Sequence, residues 1–426
     1  MARPTISQIE NAFQPAREAL KPERFAGRQE QLTDAYRAML SDGANIALIG
    51  GRGIGKTSLA KQLLAIASGD QSLLHRLNIP ADKPCDFLAF YFSCGANTEN
   101  LDNLLESLLT SESGLKDWIY DIPEAKRVTE RLTGSGNISI LTIGAGKTTE
   151  RSSRSAATEN SLELIFTNVA TKITQATGAK NGLFLIIDEF DRIDDPTGIG
   201  PFLKGVATNA PMVKFCIVGV SHDIHMLMKE HESSDRLFAG AVVRVPPMTS
   251  AELSEIIDIA EDSIDKAIRF SDEARTRLVN LANGHPYMVH LIGKFALRRA
   301  HEHNQEIIED DDILQTIDHI ASTGRDPALE GRYMKAIASS PQRETVLHAL
   351  AENVSGDSLE AHTTSTYRIC LDRGVENPSQ YVGHLASNDY GSEITKVRER
   401  YYRFRDTLFH TYVLVRPPVF PPQQAE

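Results

Sequence analysis

One run of eight residues restricts the folds open to this chain more than any other. Gly50-Gly51-Arg52-Gly53-Ile54-Gly55-Lys56-Thr57 satisfies the pattern G-x-x-x-x-G-K-[ST] in full. The apolar stretch Ile46–Ile49 precedes it, and a helix-forming stretch from Ser58 to Leu64 follows. A glycine-rich turn between a strand and a helix lets successive backbone N–H groups point at phosphate oxygens. In such a cradle Lys56 reaches the β- and γ-phosphates and the Thr57 hydroxyl binds Mg²⁺. A second candidate, Gly144-Ala-Gly146-Lys147-Thr148, lacks the first glycine, because Leu141 stands there, and no strong helix follows it.

The surrounding pattern is that of an α/β core. Apolar runs at Asn45–Ile49, Asp86–Phe92, Leu183–Ile187, Val213–Val220 and Ala241–Val245 alternate with helical segments. The runs are continuous rather than alternating, which predicts parallel strands covered on both faces. Helices are predicted at Ser58–Ser68 and Ser161–Ala176; in the latter Leu162, Ile165, Val169 and Ile173 share a face. Asn137–Asn160 interrupts the pattern. Ile138, Ile140 and Thr142 alternate with Ser139, Leu141 and Ile143 as in a strand or hairpin arm, and the basic, Ser/Thr-rich stretch from Lys147 to Ser155 then predicts a mobile loop.

After Pro246-Pro247 the pattern turns helical to about residue 330, starting with a first turn at Thr249-Ser250-Ala251-Glu252. Three helices, Gln342–Glu352, Thr364–Arg373 and Ser379–Ser387, then precede strand-like segments at Glu393–Val397 and Arg400–Arg405. That is a three-helix-plus-wing pattern. The tail from Pro417 to Glu426 holds four prolines and is expected to fray. The predicted organisation is an N-terminal segment (1–43), a phosphate-loop core (44–248) with an insertion at about 134–160, a helical lid (249–330) and a winged-helix-like C-terminal domain (331–426).

The third strand ends in two carboxylates, Leu183-Phe-Leu-Ile-Ile-Asp188-Glu189. At a strand's carboxyl end they face the phosphate cradle of an open sheet. There Asp188 would hold Mg²⁺ through water, and Glu189 would orient and deprotonate the attacking water. The next strand ends at Ser221, which reads equally as a contact to the γ-phosphate or attacking water and as a helix N-cap.

Charge and cysteine usage narrow the setting. Of 426 residues, 45 are Lys or Arg and 57 are Asp or Glu, for a net charge of −12. Residues 331–426 hold 11 basic and 11 acidic residues, so the whole acidic surplus lies in residues 1–330. A surface this acidic does not coat nucleic acid non-specifically; any such contact is local. Cys85, Cys94, Cys216 and Cys370 form no C-x-x-C pair, and Cys94 and Cys216 adjoin apolar runs that predict buried free thiols. The first residues, MARPTISQIENAF, lack the apolar core of a signal peptide, and the longest apolar runs are far too short for a membrane span. These features predict a soluble, cytoplasmic protein without a membrane partner.

Several motifs in register resemble those of AAA+ ATPases, most closely the branch related to origin-recognition initiators and STAND signalling ATPases. They are Phe25-Ala-Gly27-Arg28-Gln-Glu30-Gln-Leu32, the phosphate loop, the Asp188-Glu189 strand, Ser233-Ser-Asp-Arg236-Leu-Phe238 and Asn283-Gly284-His285-Pro286-Tyr287. The resemblance spans roughly residues 13–300. It implies a five-stranded parallel sheet between helices, a helical lid, a C-terminal winged helix, and ATP and Mg²⁺ as ligands. By the same resemblance Phe25, Gly27 and Arg28 pack around the adenine. Gly51, Arg52, Gly53, Ile54, Gly55, Lys56, Thr57 and Ser58 form the phosphate loop. Thr57 and Asp188 hold the metal, Glu189 is the catalytic base, Ser221 the first sensor, and Arg236 an arginine finger acting on a neighbouring subunit. The sequence departs from the family at the second sensor, where His285 stands in place of an arginine; Pro286 would press on the base. His285 reads either as a nucleotide contact or as a helix cap. Without a sensing arginine, turnover would be slow and the protein a switch rather than a motor.

The segment from Ile394 to Arg405 interleaves five basic residues with aromatics, and Arg398, Arg400 and Arg403 could follow a double-stranded DNA backbone. Alternation in a half-exposed strand explains the same pattern by burying Tyr402 and Phe404 while solvating Arg403 and Arg405. The segment from Ser379 to Ser387 contains no Lys or Arg. Two functions follow. One is an ATP-hydrolysing switch that self-associates on ATP and regulates an effector protein, a type whose bacterial relatives serve defence or mobile elements. The other is a DNA-loading ATPase resembling replication initiators or transposition regulators.

Overall fold

The computed structural model describes residues 3–43, 45–111, 114–121, 162–178, 181–220, 238–355 and 359–420. The expected arm at Asn137–Asn160, with the second glycine-lysine stretch inside it, lies outside them, as do Ser221 and Arg236. The chain forms two compact units.

One unit comprises Glu18–Gly50 and Lys56–Val245. Its strands are β1 (Ile46–Gly50), β2 (Phe87–Ser93), β3 (Gly182–Asp188), β4 (Val213–Gly219) and β5 (Val242–Val245), each within a residue or two of the predicted run. They form one sheet in the order β2-β3-β4-β1-β5. Every pairing is parallel, with Leu185 opposite Phe215, Ile46 opposite Cys216 and Leu48 opposite Val243. β3 and β4 are buried along their whole length, which is why their sequences read as unbroken apolar runs. The helix Leu162–Thr177 inserts Phe166 among Phe202 and Phe215, with ring centroids 5.5–6.0 Å apart. Because all five strands run the same way, the carboxyl ends of β1 and β3 lie along one edge, where open α/β sheets bind ligands.

The other unit comprises Met1–Arg17, Gly51–Gly55 and Pro246–Glu426. The first lid helix, Ser250–Asp262, begins with a reciprocal cap between Thr249 and Glu252, as the sequence suggested. Asp272–Ala282, Pro286–Glu302 and Asp310–Thr323 follow. The lid is not wholly helical: β6 (Arg269–Phe270) and β7 (Ile307–Ile308) pair in parallel, two-residue strands too short to leave a periodic signal. The N-terminal helix Ile6–Ala12 is tied to the lid by Glu10, which binds Arg298 and Lys294. Phe13 lies against Gly293, where a Cβ would come within 2.7 Å of its ring.

The C-terminal region contains the three expected helices, at Pro341–Glu352, Thr363–Asp372 and Pro378–Leu385. The expected strands appear as β10 (Ile394–Arg398) and β11 (Tyr401–Phe404). They extend into a four-stranded antiparallel sheet through β8 (Val354–Ser355) and β9 (Glu360–His362). Two further helices, Pro327–Ile337 and Thr407–Val415, complete its core around Tyr333 and Phe409. The tail departs from expectation over Pro417–Phe420. Val419 and Phe420 donate their N–H groups to the buried carboxylate of Glu344 at 2.6 and 2.8 Å, and Phe420 packs on the core.

Candidate nucleotide site

β1 is held by β4 on one side and β5 on the other, which fixes where the phosphate loop leaves the sheet. The helix Lys56–Ala67 starts immediately after the loop, so the N–H groups of its first turn follow directly on it. Gly53 and Gly55 take left-handed backbone conformations, φ 68° and 97°, which explains glycine at both positions. Ile54 is buried, whereas Arg52 is exposed. A Cβ on Gly51 would lie 2.8 Å from Thr407 Oγ1, and one on Gly53 3.0 Å from Leu408 Cδ2. The loop is therefore lined closely by the start of the last helix. Pro286 Cγ lies 4.0 Å from the Cβ position of Gly55. Ser58 Oγ accepts the Ala19 N–H at 3.1 Å, so this hydroxyl anchors the N-terminal segment.

The acid pair sits at the tip of β3. Asp188 is 2% exposed, and each of its oxygens has a protein donor. Oδ1 accepts the Glu189 N–H at 2.7 Å, and Oδ2 accepts the Tyr91 hydroxyl at 2.7 Å. Glu189 adopts φ 54°, a left-handed conformation rare for a residue with a side chain, and so leaves the strand direction abruptly. Its carboxylate is gripped by Arg192 at 3.0 and 3.3 Å and receives the Ser93 hydroxyl at 3.3 Å. The Lys61 ammonium lies 2.9 Å from the centre of the Tyr91 ring. β4 ends at Gly219, where a Cβ would be 3.3 Å from Phe190 Cβ, so the turn after the acid pair packs on the end of the neighbouring strand.

Tyr91, Ser93, Lys61 and Arg192 were not singled out by the sequence. A signal was present: Tyr91 and Ser93 are two apart on a strand and so project from the same face, with Ser93 in register with Asp188.

The N-terminal segment places Phe25 and Arg28 in buried positions, at 3% and 4% exposure. Gly27 and Arg28 both have positive φ, making a tight bend before the helix Gln29–Leu40. Arg76 donates to the Phe25 carbonyl and fixes this bend.

His285 is the N-cap residue of the helix Pro286–Glu302, in extended backbone, and its side chain makes no cap hydrogen bond. It is 2% exposed, and its Nδ1 has no hydrogen-bond partner among the described residues. Burial pulls its pKa from 6.5 to about 4; Asp406 opposes this and His410 adds to it. The imidazole is therefore neutral at pH 7.

In the C-terminal sheet, Arg398 is paired with Glu360 at 2.9 Å and stacks on Tyr401, while Arg400 and Arg403 are exposed. Phe404 is buried and Arg403 and Arg405 are exposed, as strand alternation requires, but Tyr402 is only half-buried. All four cysteines are buried free thiols. No helix among the described residues is long and apolar enough to cross a membrane.

A comparison with curated proteins gave no match. Among solved structures, the chain is similar to the Walker-type ATPase PabY2304 of Pyrococcus abyssi, with 15% identity, 93% of this chain and 98% of that chain covered, and a TM-score of 0.53. This establishes the shared ATPase fold. The Aeropyrum pernix ORC2 protein (15% identity, coverage 97% and 98%, TM-score 0.46) and Cdc6p from Pyrobaculum aerophilum (12%, 97% and 97%, 0.44) lie further off. Residues 11–346, spanning the phosphate loop, the acid pair and the lid, match the family described as novel STAND NTPase 1, and the chain belongs to that family.

Proposed function

We propose that the protein is a magnesium-dependent ATP switch with slow turnover, which self-associates when loaded and acts on a protein effector. The observation that carries this reading is the acid pair, one carboxylate buried and fixed, the next swung out of the strand and presented. Lys56 and the loop N–H groups would bind the phosphates, and Phe25, Gly27, Arg28 and Pro286 the base. The hard oxygen donors of Thr57 and Asp188 suit Mg²⁺, which would neutralise the phosphate charge. Glu189 would take a proton from the attacking water as its oxygen bonds to the γ-phosphorus and the bridging oxygen leaves with ADP. Arg192 and Ser93 hold the Glu189 carboxylate while Oε1 keeps a lone pair for the water's proton, and competition from the arginine for these oxygens favours a long-lived ATP state. Arg236 would complete the site of a neighbouring subunit.

A protein effector is preferred to DNA because Arg398 is engaged by Glu360 and Tyr401. The test is the mass of the Glu189→Gln protein by light scattering, with and without Mg·ATP and a short DNA duplex. Assembly on Mg·ATP alone is expected. Assembly that requires the duplex would favour the DNA-loading alternative, and a monomer under every condition would overturn self-association.

A further inference from the structure

The metal-binding carboxylate of this site has a support that lies outside the phosphate-loop and acid-pair motifs. The Tyr91 hydroxyl donates to Asp188 Oδ2 at 2.7 Å, while the Glu189 N–H holds Oδ1 at the same distance. Two donors on opposite oxygens prevent the carboxylate from rotating, and each oxygen keeps a lone pair for a further ligand. Tyr91 is braced in turn: Lys61, on the second turn of the helix that follows the phosphate loop, sets its ammonium 2.9 Å from the Tyr91 ring centre. Burial lowers the Lys61 pKa, while Glu18 and Asp188 favour its charge.

We propose that Tyr91 is a positioning residue for Mg²⁺. It acts through Asp188, and Lys61 links it to the helix that carries the phosphate loop, so that metal and phosphate are registered to one another. The inference rests on the reading of Thr57 and Asp188 as the metal-binding pair. It makes β2 a working part of the site, although β2 contributes none of the motif residues.

The test separates nucleotide affinity from its dependence on metal. Binding of a fluorescent ADP is titrated in EDTA and then over a range of Mg²⁺ concentrations. Tyr91→Phe keeps the ring and removes the donor. It is expected to leave the EDTA affinity within about two-fold while raising the half-saturating Mg²⁺ concentration by about ten-fold, as for losing a hydrogen bond to a charged group. In an Asp188→Asn background the same change should have no further effect, which a merely structural role would not produce. Lys61→Met should give a smaller shift, about three-fold. A Tyr91→Phe protein with the wild-type Mg²⁺ midpoint overturns the inference. If that variant does not fold, an unchanged midpoint in Lys61→Met overturns it. Failure of the underlying reading looks different: wild-type ADP affinity would then not respond to Mg²⁺ at all.

Discussion

The parallel-sheet unit and the C-terminal region use charge in opposite ways. At the edge of the parallel sheet, Lys61, Asp188, Glu189 and Arg192 cluster around one pair of carboxylates that the chemistry needs. In the C-terminal region, charges are joined to one another. Arg332 forks to Glu393 at 2.5 and 3.0 Å and reaches Asp406 at 2.6 Å, with both carboxylates almost fully buried. Arg416 binds Glu330, and Arg373 binds Glu352. A region with 11 basic and 11 acidic residues is thus neutral in sum yet holds buried, charge-based structure. Similar residue types thus serve chemistry in one region and cohesion in the other, and substitutions can separate the two roles.

The largest effect should come from Lys56→Ala. Two charge-assisted contacts to phosphates, at about 1.5–3 kcal/mol each, imply a loss of nucleotide affinity on the order of a thousand-fold. Calorimetric titration with ATP would measure it. The fold should survive, because Lys56 is half-buried in the first turn of its helix. Retained micromolar affinity would remove the phosphate-loop assignment. Arg332→Ala should act first on cohesion, destabilising the C-terminal region by about 3 kcal/mol because two buried carboxylates lose their shared cation, and should reach nucleotide binding only through the start of the last helix, which lines the loop. Asp406 also caps the last helix through Leu408 N–H, so that helix should loosen first. A loss below about 1 kcal/mol in chemical denaturation would show that cohesion does not depend on this fork.

His285 belongs to neither pattern, being a buried polar group whose Nδ1 has no hydrogen-bond partner among the described residues. Its pKa of about 4 in the folded protein lies below the ordinary 6.5, so below pH 6.5 the unfolded chain takes up a proton that the folded chain refuses. Its penalty is absent above that value and grows as pH falls from 6.5 toward 4, reaching about 2–3 kcal/mol. His285→Gln should flatten the stability profile in that window alone. An unchanged slope between pH 6.5 and 4 would mean that the imidazole is not the group being titrated.

The sequence specified the parallel core well because its strands are buried on both faces, leaving unbroken apolar runs in β3 and β4. The phosphate loop and acid pair were legible because their roles demand particular residues at fixed spacing. Tyr91 and Ser93 were not, since a tyrosine and a serine two apart on a strand fit a dozen uses and only register brings them to Asp188 and Glu189. The helix Thr407–Val415 was missed because Phe409, Thr411, Tyr412, Val413 and Val415 are aromatic or β-branched residues that read as strand. The docked tail was missed because composition suggests fraying, while the Glu344 carboxylate that captures it lies 75 residues earlier.

The smallest expected effect is the sharpest test of the contrast. Arg398 and Glu360 form an ion pair as short, at 2.9 Å, as many in the buried network, but the arginine side chain is 56% exposed. Water screens such a pair, so the pair's share of the loss in Arg398→Ala should be no more than about 0.5 kcal/mol, the coupling that a double-mutant cycle with Glu360→Gln should give. The Tyr401 ring under the guanidinium adds at most about 1 kcal/mol. Set against Arg332→Ala, this asks whether burial or the mere number of ion pairs decides cohesion. A loss above about 2 kcal/mol would place the β10–β11 hairpin with the internal network. The small loss expected here would instead set the hairpin's ion pair apart from the buried network, leaving burial as what decides cohesion.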